Sequence, residues 1–247
     1  MVIREITAKA ILSKSRIHDW TLNAYVGCGH NCAYCYARFM KRFTGHLEPW
    51  GSFVDVKVNA VDLLWREVER KRKGTVWISG VCDAYQPLER EYNLTGRCLA
   101  ILADHGWPVS VQTKSPLVLR DLNILRRMPG ARVGFTVTTL DEKIREIFEP
   151  GAPPISDRLD ALKVLHDAGI RTFAMLAPLL PGVDGLAERL TGMVDEILID
   201  RDNYGHADRI YRKYGLEWAR DGHFYREKGE QLRAAFLRAG IPCRMLY

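Results

Sequence analysis

Three cysteines lie within eight residues, in the segment Gly27-Cys28-Gly29-His30-Asn31-Cys32-Ala33-Tyr34-Cys35. Their C-x3-C-x2-C spacing can turn three thiolates toward one face of an iron–sulfur cubane, because the spacers are short and glycine permits tight turns. Three ligands leave one iron of a four-iron four-sulfur cluster without a protein thiolate, so a substrate or cofactor can bind there. A structural zinc site with His30 as its fourth ligand is the alternative.

A second group of reactive side chains follows the apolar run at residues 75–81. Polar and aromatic side chains placed just after a strand usually serve binding or catalysis more than packing. We expect Tyr85 to belong to the catalytic group, and Asp83, Gln86 and Glu89 to contact substrate or close the loop. Arg158 could reach the mouth of the same pocket, with a salt bridge on a helix face as the alternative.

The cysteine segment resembles the signature of the radical S-adenosylmethionine (SAM) superfamily, C-x3-C-x-aromatic-C, with Tyr34 as the aromatic residue. Other segments resemble the branch of that superfamily related to spore photoproduct lyase, and together they cover about residues 20–200. These segments are Cys82-Asp83-Ala84-Tyr85-Gln86-Pro87-Leu88-Glu89, Gln112-Thr113-Lys114-Ser115, Thr136-Val137-Thr138-Thr139-Leu140-Asp141, Glu149-Pro150-Gly151-Ala152-Pro153 and Ala177-Pro178-Leu179-Leu180-Pro181-Gly182.

The resemblance implies a lyase-like enzyme that cleaves SAM reductively at a four-iron four-sulfur cluster and forms a 5'-deoxyadenosyl radical, which abstracts hydrogen from a substrate. It implies an external electron donor of the flavodoxin or ferredoxin type. The cluster ligands would be Cys28, Cys32 and Cys35, and the residues that bind SAM would be Tyr34, Ser79, Gly80, Lys114, Thr138, Thr139, Ala177 and Pro178.

The implied roles of these residues differ in chemistry. Ser79 and Gly80 are small, so the main chain there can approach the methionyl amino group. Lys114 can neutralise the methionyl carboxylate, with a surface lysine in a turn before Pro116 as the alternative. The hydroxyls of Thr138 and Thr139 could bond the ribose, with packing as the alternative, and the segment from Ala177 and Pro178 onward would meet adenine.

Cys82 lies near the position of a cysteine that, in spore photoproduct lyase, returns hydrogen to the product radical. A thiol suits that task because its S–H bond is weak. Free cysteine is also among the residues most often buried, so a core position is the alternative. For Cys98, which falls within an amphipathic helix, the core interpretation is the better one.

Branch membership does not fix the substrate. A nucleic-acid lesion is one hypothesis, and the basic and aromatic residues between 202 and 247 could track a nucleic-acid backbone and stack on bases. Radical modification of a small metabolite, a peptide or RNA is a second hypothesis. A zinc-stabilised nucleic-acid-binding module without catalysis is a third, from another class of protein.

Short apolar runs alternate with helical patterns along the chain. The predicted strands are 22–26, 75–81, 109–113, 132–139, 171–177 and 196–200, and the clearest predicted helices are 60–73, 92–105, 156–168 and 186–194. Gly74, Gly106 and Gly169 follow three of these helices as end signals. The alternation predicts an α/β fold, a partial or full (β/α) TIM-like barrel of about six parallel strands. In such folds the carboxyl ends of the strands carry the chemistry.

The composition suits a globular protein. The 247 residues are 47% hydrophobic, the net charge is +6, and no linker or repeat divides the sequence. We therefore expect a single domain over 1–247, with a core at about 20–200 and a C-terminal helical cap at 201–247. The first twenty residues lack the apolar stretch of a signal peptide and no long apolar run exists, so we expect a cytoplasmic protein without a membrane span.

Overall fold

The computed structural model describes residues 1–247. The strands are β1 Val2–Ile6, β2 Leu12–Lys14, β3 Trp20–Leu22, β4 Tyr25–Val26, β5 Phe53–Lys57, β6 Val76–Ile78, β7 Val109–Thr113, β8 Arg132–Thr136, β9 Arg171–Leu176, β10 Glu196–Ile199 and β11 Cys243–Met245. The α-helices are α1 Ala60–Arg70, α2 Glu89–Tyr92, α3 Leu94–Asp104, α4 Leu122–Arg127, α5 Glu142–Phe148, α6 Ile155–Asp167, α7 Leu186–Leu190, α8 Asp208–Lys213 and α9 Gly222–Arg238. Short 3-10 helices span Tyr36–Phe43, Pro116–Asp121 and Glu217–Arg220.

The main sheet has eight strands in the order β11-β10-β9-β8-β7-β6-β3-β2. Each neighbouring pair from β3 to β11 is parallel, and only the edge strand β2 pairs antiparallel, with β3. The strands from β6 to β10 are mostly buried along their length, as expected when helices cover a parallel sheet. The predicted partial TIM-like barrel is confirmed; the sheet does not close, and it has seven parallel strands where about six were expected.

The predicted strand at 22–26 is wrong in one respect, because the chain there forms two strands in two sheets. β3 ends at Leu22 in the main sheet, whereas β4 joins a small sheet of order β1-β5-β4. Between them Asn23 accepts a hydrogen bond from the backbone N–H of Val81 (3.0 Å), and Ala24 accepts one from Lys57 (3.0 Å). These bonds turn the chain out of the main sheet just before the cysteine segment.

Glycines end two of the predicted helices as expected. Gly106 and Gly169 follow α3 and α6 with φ of +64° and +79°, in the left-handed region that glycine adopts most easily. Gly74 does not play this role, because α1 already ends at Arg70 and the next residue is extended. The helix predicted from residue 92 also begins differently, since Asn93 adopts a left-handed conformation that separates α2 from α3.

The residues after 200 form a helical region that also extends the sheet. α8 and α9 carry most of it, and β11 pairs in parallel with β10, which the sequence did not predict. One contiguous apolar core runs through the chain from Ile11 to Ile241. No helix is long and apolar enough to cross a membrane.

Candidate functional site

The cysteine segment is a buried loop that begins directly after β4. Cys28 and Cys32 are 9% exposed each, and Cys35 is half-buried. The loop begins at Gly27, whose φ is +91°, and a side chain there would collide with the carbonyl group of Phe53 on β5. Only glycine fits this turn, so the sequence places the three thiols against the small sheet.

Gln86 holds one side of the cysteine loop. Its side chain is fully buried; Oε1 accepts a hydrogen bond from the N–H of Gly29 (3.0 Å), and Nε2 donates one to the carbonyl of Gly27 (3.1 Å). Nearby, the Nδ1 atom of His30 lies 3.3 Å from Oδ2 of Asp83. The segment after β6 therefore fixes the path of the loop backbone.

The segment after α5 holds the opposite side of the loop. Asp141 begins α5 by accepting hydrogen bonds from two N–H groups of its first turn, and the helix ends at Phe148. The carbonyl of Phe148 then accepts a bond from Ala33 (2.7 Å), and the N–H of Gly151 donates to His30 (3.0 Å). A side chain at position 151 would collide with the loop backbone, so close docking here requires glycine.

Glu149 lies between these contacts and is fully buried. Its Oε1 accepts hydrogen bonds from the hydroxyls of Tyr34 and Thr138, the latter at 3.1 Å. Its Oε2 lies 2.5 Å from Nη2 of the buried Arg158, without the angle of a hydrogen bond. The Nζ atom of Lys114 lies 4.0 Å from Oε1. A buried network of two cations and one carboxylate therefore adjoins the cysteine loop through Tyr34.

The charges of this network are coupled to Cys32. Burial alone would raise the pKa of Glu149, but Arg158 and Lys114 outweigh it and lower that pKa, so the carboxylate is ionised. Burial alone would lower the pKa of Lys114, but Cys32 and Glu149 outweigh it and raise that pKa. The ammonium group of Lys114 therefore stays charged although its side chain is only 13% exposed.

Ser79 and Gly80 follow β6 in an unusual conformation. Ser79 has φ of +64°, a left-handed value that costs a non-glycine residue about 1–3 kcal/mol, and its buried Oγ has no hydrogen-bond partner. The hydroxyl of Tyr36 donates to the carbonyl of Gly80. The hydroxyl of Ser79 also lies near the thiol of Cys82, outside hydrogen-bonding geometry, and burial raises the pKa of that thiol to about 12. The thiol keeps its proton at neutral pH.

The other predicted site residues have protein partners. Asp83 accepts hydrogen bonds from the Thr113 hydroxyl (2.6 Å) and the Lys114 N–H (2.8 Å), and so ties the ends of β6 and β7 together. Thr139 donates to Pro181 (2.6 Å). Arg158 belongs to α6, and its fully buried side chain pairs with Glu149.

Glu89 and Tyr85 lie in a separate buried network. Glu89 accepts hydrogen bonds from Tyr25 and Arg120, and Tyr85 donates to Asp121 (3.0 Å). The structure therefore does not bring these two side chains to the cysteine loop. The roles predicted for Tyr85, Asp83, Gln86, Glu89 and Arg158 stay predictions. The cis peptide bond between Ala177 and Pro178 follows β9, at the same sheet edge as Lys114 after β7.

Two residues of the site were missed by sequence reasoning. Glu149 belongs to a segment that resembled the lyase branch, and its place between Phe148 and Gly151 could have drawn attention to it. Trp50, whose indole N–H donates to Sγ of Cys35 (3.3 Å), lies far from any recognised motif, and nothing in the sequence pattern identified it.

The sequence model of the radical SAM superfamily matches residues 22–186. This match includes the cysteine loop and the strands from β4 to β9. The chain belongs to the radical SAM superfamily. Members of this superfamily use SAM together with a four-iron four-sulfur cluster.

Several known proteins resemble this radical SAM chain. An uncharacterised protein of Methanocaldococcus jannaschii is 36% identical over 181 residues, which cover 72% of this chain and 68% of the relative. A protein of Pseudomonas phage M6 named radical SAM Nalpha-GlyT isomerase is 22% identical over 204 residues, covering 77% of this chain and 42% of the relative. Spore photoproduct lyase complexed with dinucleoside spore photoproduct superposes with a TM-score of 0.73 at 14% identity, covering 98% of this chain and 82% of the lyase.

The residues of the loop fit the cluster that the superfamily implies. Three thiols are the donors that iron–sulfur clusters require, and the indole N–H on Cys35 is the kind of hydrogen bond that tunes such a cluster. No three His, Cys, Asp or Glu side chains converge on one point as the ligands of a single metal ion do. A cubane does not need that arrangement, because each thiolate binds a different iron. The unpartnered hydroxyl of Ser79 and the charged Lys114 leave polar groups for SAM.

Proposed function

We propose that this chain is a radical SAM enzyme that abstracts hydrogen from a nucleotide within a nucleic acid, with the cluster held by Cys28, Cys32 and Cys35. When bound, the cluster and SAM supply an electron and a 5'-deoxyadenosyl group, and together they form the 5'-deoxyadenosyl radical. The observation that carries the proposal is the half-buried ammonium of Lys114 at the carboxyl end of β7, which lies 4.0 Å from Glu149 and makes no hydrogen bond to the protein.

Lys114 binds the methionyl carboxylate in this proposal. Its ammonium is a point charge with three donors, and it has no hydrogen bond to a protein group, since Glu149 lies 4.0 Å away. Glu149 and Arg158 compensate each other, so the positive charge of Lys114 remains for an anionic ligand, and the ring of Tyr34 lies 5.5 Å from the Lys114 ammonium. The lysine is therefore held in place by its surroundings with its donors available to a ligand.

Ser79 and Gly80 contact the methionyl amino group. The strained backbone at Ser79 is the form expected where a main chain is shaped for a ligand, and its free hydroxyl supports that role. The segment from Ala177 and Pro178 lies along the adenine, after β9. Thr138 and Thr139 donate their hydroxyl hydrogens to protein groups, so we assign them to support of the site.

Cys82 returns hydrogen to the substrate radical. Cys82 is half-buried, its thiol retains its proton at neutral pH, and it follows β6 at the same sheet edge as Ser79 and Lys114. Burial raises the pKa of the Tyr36 phenol, which donates a hydrogen bond to the Gly80 carbonyl, two residues before Cys82.

Two observations support a nucleic-acid substrate. The net charge of +6 favours approach to phosphates. The exposed ring of Tyr204, after β10, stacks on Tyr36 with 6.1 Å between ring centroids, and this places an accessible aromatic beside the cluster loop. Aromatic side chains of this kind can stack on bases.

The test is an anaerobic reconstitution with iron and sulfide, followed by reduction and addition of SAM, with and without ultraviolet-damaged DNA. We expect 5'-deoxyadenosine from the wild type and none from Cys32→Ala, which should also lose iron. Cys243→Ala, a half-buried cysteine on β11, is the matched control and should retain both. A colourless protein that binds one zinc ion and forms no 5'-deoxyadenosine contradicts the proposal.

A further inference from the structure

Trp50 makes a direct contact with one of the three cysteines. Its indole N–H donates a hydrogen bond to Sγ of Cys35 at 3.3 Å, and no other side chain donates to Cys28, Cys32 or Cys35. The indole is 8% exposed, so water competes little for this donor. A buried N–H aimed at a sulfur is a specific arrangement, because the same group could otherwise bond a nearby carbonyl.

A stack of rings holds the indole from one side. Trp50 meets Phe53 edge to face, with centroids 5.7 Å apart and planes at 88°. Phe53 in turn lies flat against His46 at 4.0 Å and 18°. His46 is fixed at both ring nitrogens, Nδ1 to Glu48 and Nε2 to Asp55, each at 2.9 Å. The ring that carries the N–H therefore rests on a side chain that is itself anchored to β5.

A tight turn directly follows Trp50 in the chain. Gly51 has φ of +93°, and the side chain of Asn31 occupies the place where a Cβ at residue 51 would lie. Asn31 belongs to the cysteine loop, so the turn and the loop are packed against each other. The segment from His46 to Gly51 thus aims one N–H at one sulfur, although no part of it belongs to the cysteine motif.

We propose that Trp50 is a positioning residue that raises the reduction potential of the cluster through its hydrogen bond to Cys35. This inference rests on the proposed function. Reduction adds one electron to the cluster and its ligands, and an N–H donor stabilises the added negative charge on sulfur. No bond forms or breaks, and the indole keeps its proton. The hydrogen bond therefore favours the reduced form more than the oxidised form.

The experiment is a redox titration of the reconstituted protein, followed by electron paramagnetic resonance, on the wild type, Trp50→Phe and Trp20→Phe. Trp20 is the matched control, because it is also 8% exposed and its indole N–H donates to a carbonyl, that of Arg72, at 3.1 Å. We expect the midpoint of Trp50→Phe to move to a more negative potential. At a fixed potential the ratio of reduced to oxidised cluster should fall about threefold to tenfold, where tenfold corresponds to about 59 mV for one electron.

The two controls separate this role from a structural one. Trp20→Phe should leave the midpoint unchanged. If Trp50→Phe assembles no cluster, replacement of Trp50 alone by benzothienylalanine keeps the ring shape and removes only the N–H. A midpoint equal to that of the wild type in either Trp50 variant overturns the inference. A wild type that assembles no iron–sulfur cluster overturns the proposed function instead, so the two failures are distinguishable.

Discussion

Two segments hold the cysteine loop from opposite sides, and they do so by different chemistry. Gln86, after β6, uses a neutral amide that bonds the loop backbone at Gly27 and Gly29. The segment around Glu149, after α5, combines backbone hydrogen bonds with a buried carboxylate paired to Arg158. The Gln86 amide fixes geometry alone, although Asp83 of the same segment brings a carboxylate to His30. The Glu149 segment brings charge close to Cys32.

The Gln86 amide supports the loop backbone, whereas the network around Glu149 also supplies charge for ligand binding. A neutral amide carries no net charge, so its removal should disturb the loop without changing the affinity for a charged ligand. Buried charges affect both the stability of the fold and the binding of a charged ligand. An unpaired buried charge lowers the free energy of unfolding, and a paired one still sets the electrostatic potential around it. Lys114, the one cation of the network without a hydrogen bond to protein, lies on the charged side. We therefore expect ligand binding to depend on that side.

The largest effect should follow removal of Arg158. Arg158→Met leaves the carboxylate of Glu149 buried with Lys114 as its only cation, and we expect a loss of about 3–5 kcal/mol in the free energy of unfolding, measured with urea. The double variant Arg158→Met with Glu149→Gln should recover part of that loss, because the fully buried carboxylate is then gone, although the partly exposed Lys114 keeps its charge. Arg132→Met, which breaks a half-buried pair with Glu196, should lose about 1 kcal/mol or less. Equal losses of unfolding free energy in Arg158→Met and Arg132→Met would contradict the expectation that the buried carboxylate of Glu149 destabilises the fold when its arginine is removed.

A smaller effect should follow removal of the neutral support. Gln86→Leu leaves the carbonyl of the buried Gly27 without its partner, at a cost of about 1–3 kcal/mol, whereas the N–H of the half-buried Gly29 can bond water instead. Iron content after reconstitution should fall, because the loop is no longer held. Gln112→Leu, which removes one amide bond to Thr136 at 3.2 Å, should retain full iron content. Full iron content in Gln86→Leu would show that the segment around Glu149 is sufficient to hold the loop.

Sequence reasoning was strong where the signal was local. The strands β7 to β10 and the helices α1, α3 and α6 follow hydrophobic periodicity, and their existence was predictable. The cysteine spacing and the aromatic Tyr34 predicted the family. The ends of elements were less predictable, as at α1, because a helix ends where its packing ends as well as where glycine stands.

The rest of the site depends on contacts between residues far apart in the chain. Gln86 bonds the loop 57 residues before it, and the phenol of Tyr34 reaches Glu149 across 115 residues. Trp50 reaches Cys35 only because β5 and the turn before it lie beside the loop. No periodicity or motif encodes such pairings, so the sequence could not show that Glu89, predicted to contact substrate or close the loop, accepts a hydrogen bond from Arg120.

Replacement of Lys114 separates the contribution of the Glu149 network to SAM binding from its contribution to stability. Lys114→Met should change the free energy of unfolding by about 1 kcal/mol or less, because Arg158 still pairs with Glu149. The affinity of the reconstituted protein for SAM should fall about tenfold or more, which is about 1.4 kcal/mol, as measured by calorimetry. Lys57→Met removes another partly buried lysine, bonded to the carbonyl of Asn23, and should leave SAM affinity unchanged. Equal affinities in wild type and Lys114→Met would remove the lysine from the cofactor site.

The smallest expected effect on the cluster and on SAM cleavage follows Cys82→Ala. This variant tests which group returns hydrogen to the substrate radical. Iron content and 5'-deoxyadenosine formation should stay as in the wild type, because neither the loop nor the charged network uses this thiol. A thiol proton exchanges with solvent, so in deuterated water the wild type should place deuterium in the product, and Cys82→Ala should place much less there. Cys98→Ala, a buried cysteine of α3, is the control and should behave as the wild type. The deuterium content is measured by mass spectrometry. If the product formed by Cys82→Ala contains as much deuterium as that of the wild type, another group returns the hydrogen. Tyr36, whose phenol donates to the Gly80 carbonyl, would then be the residue to replace next.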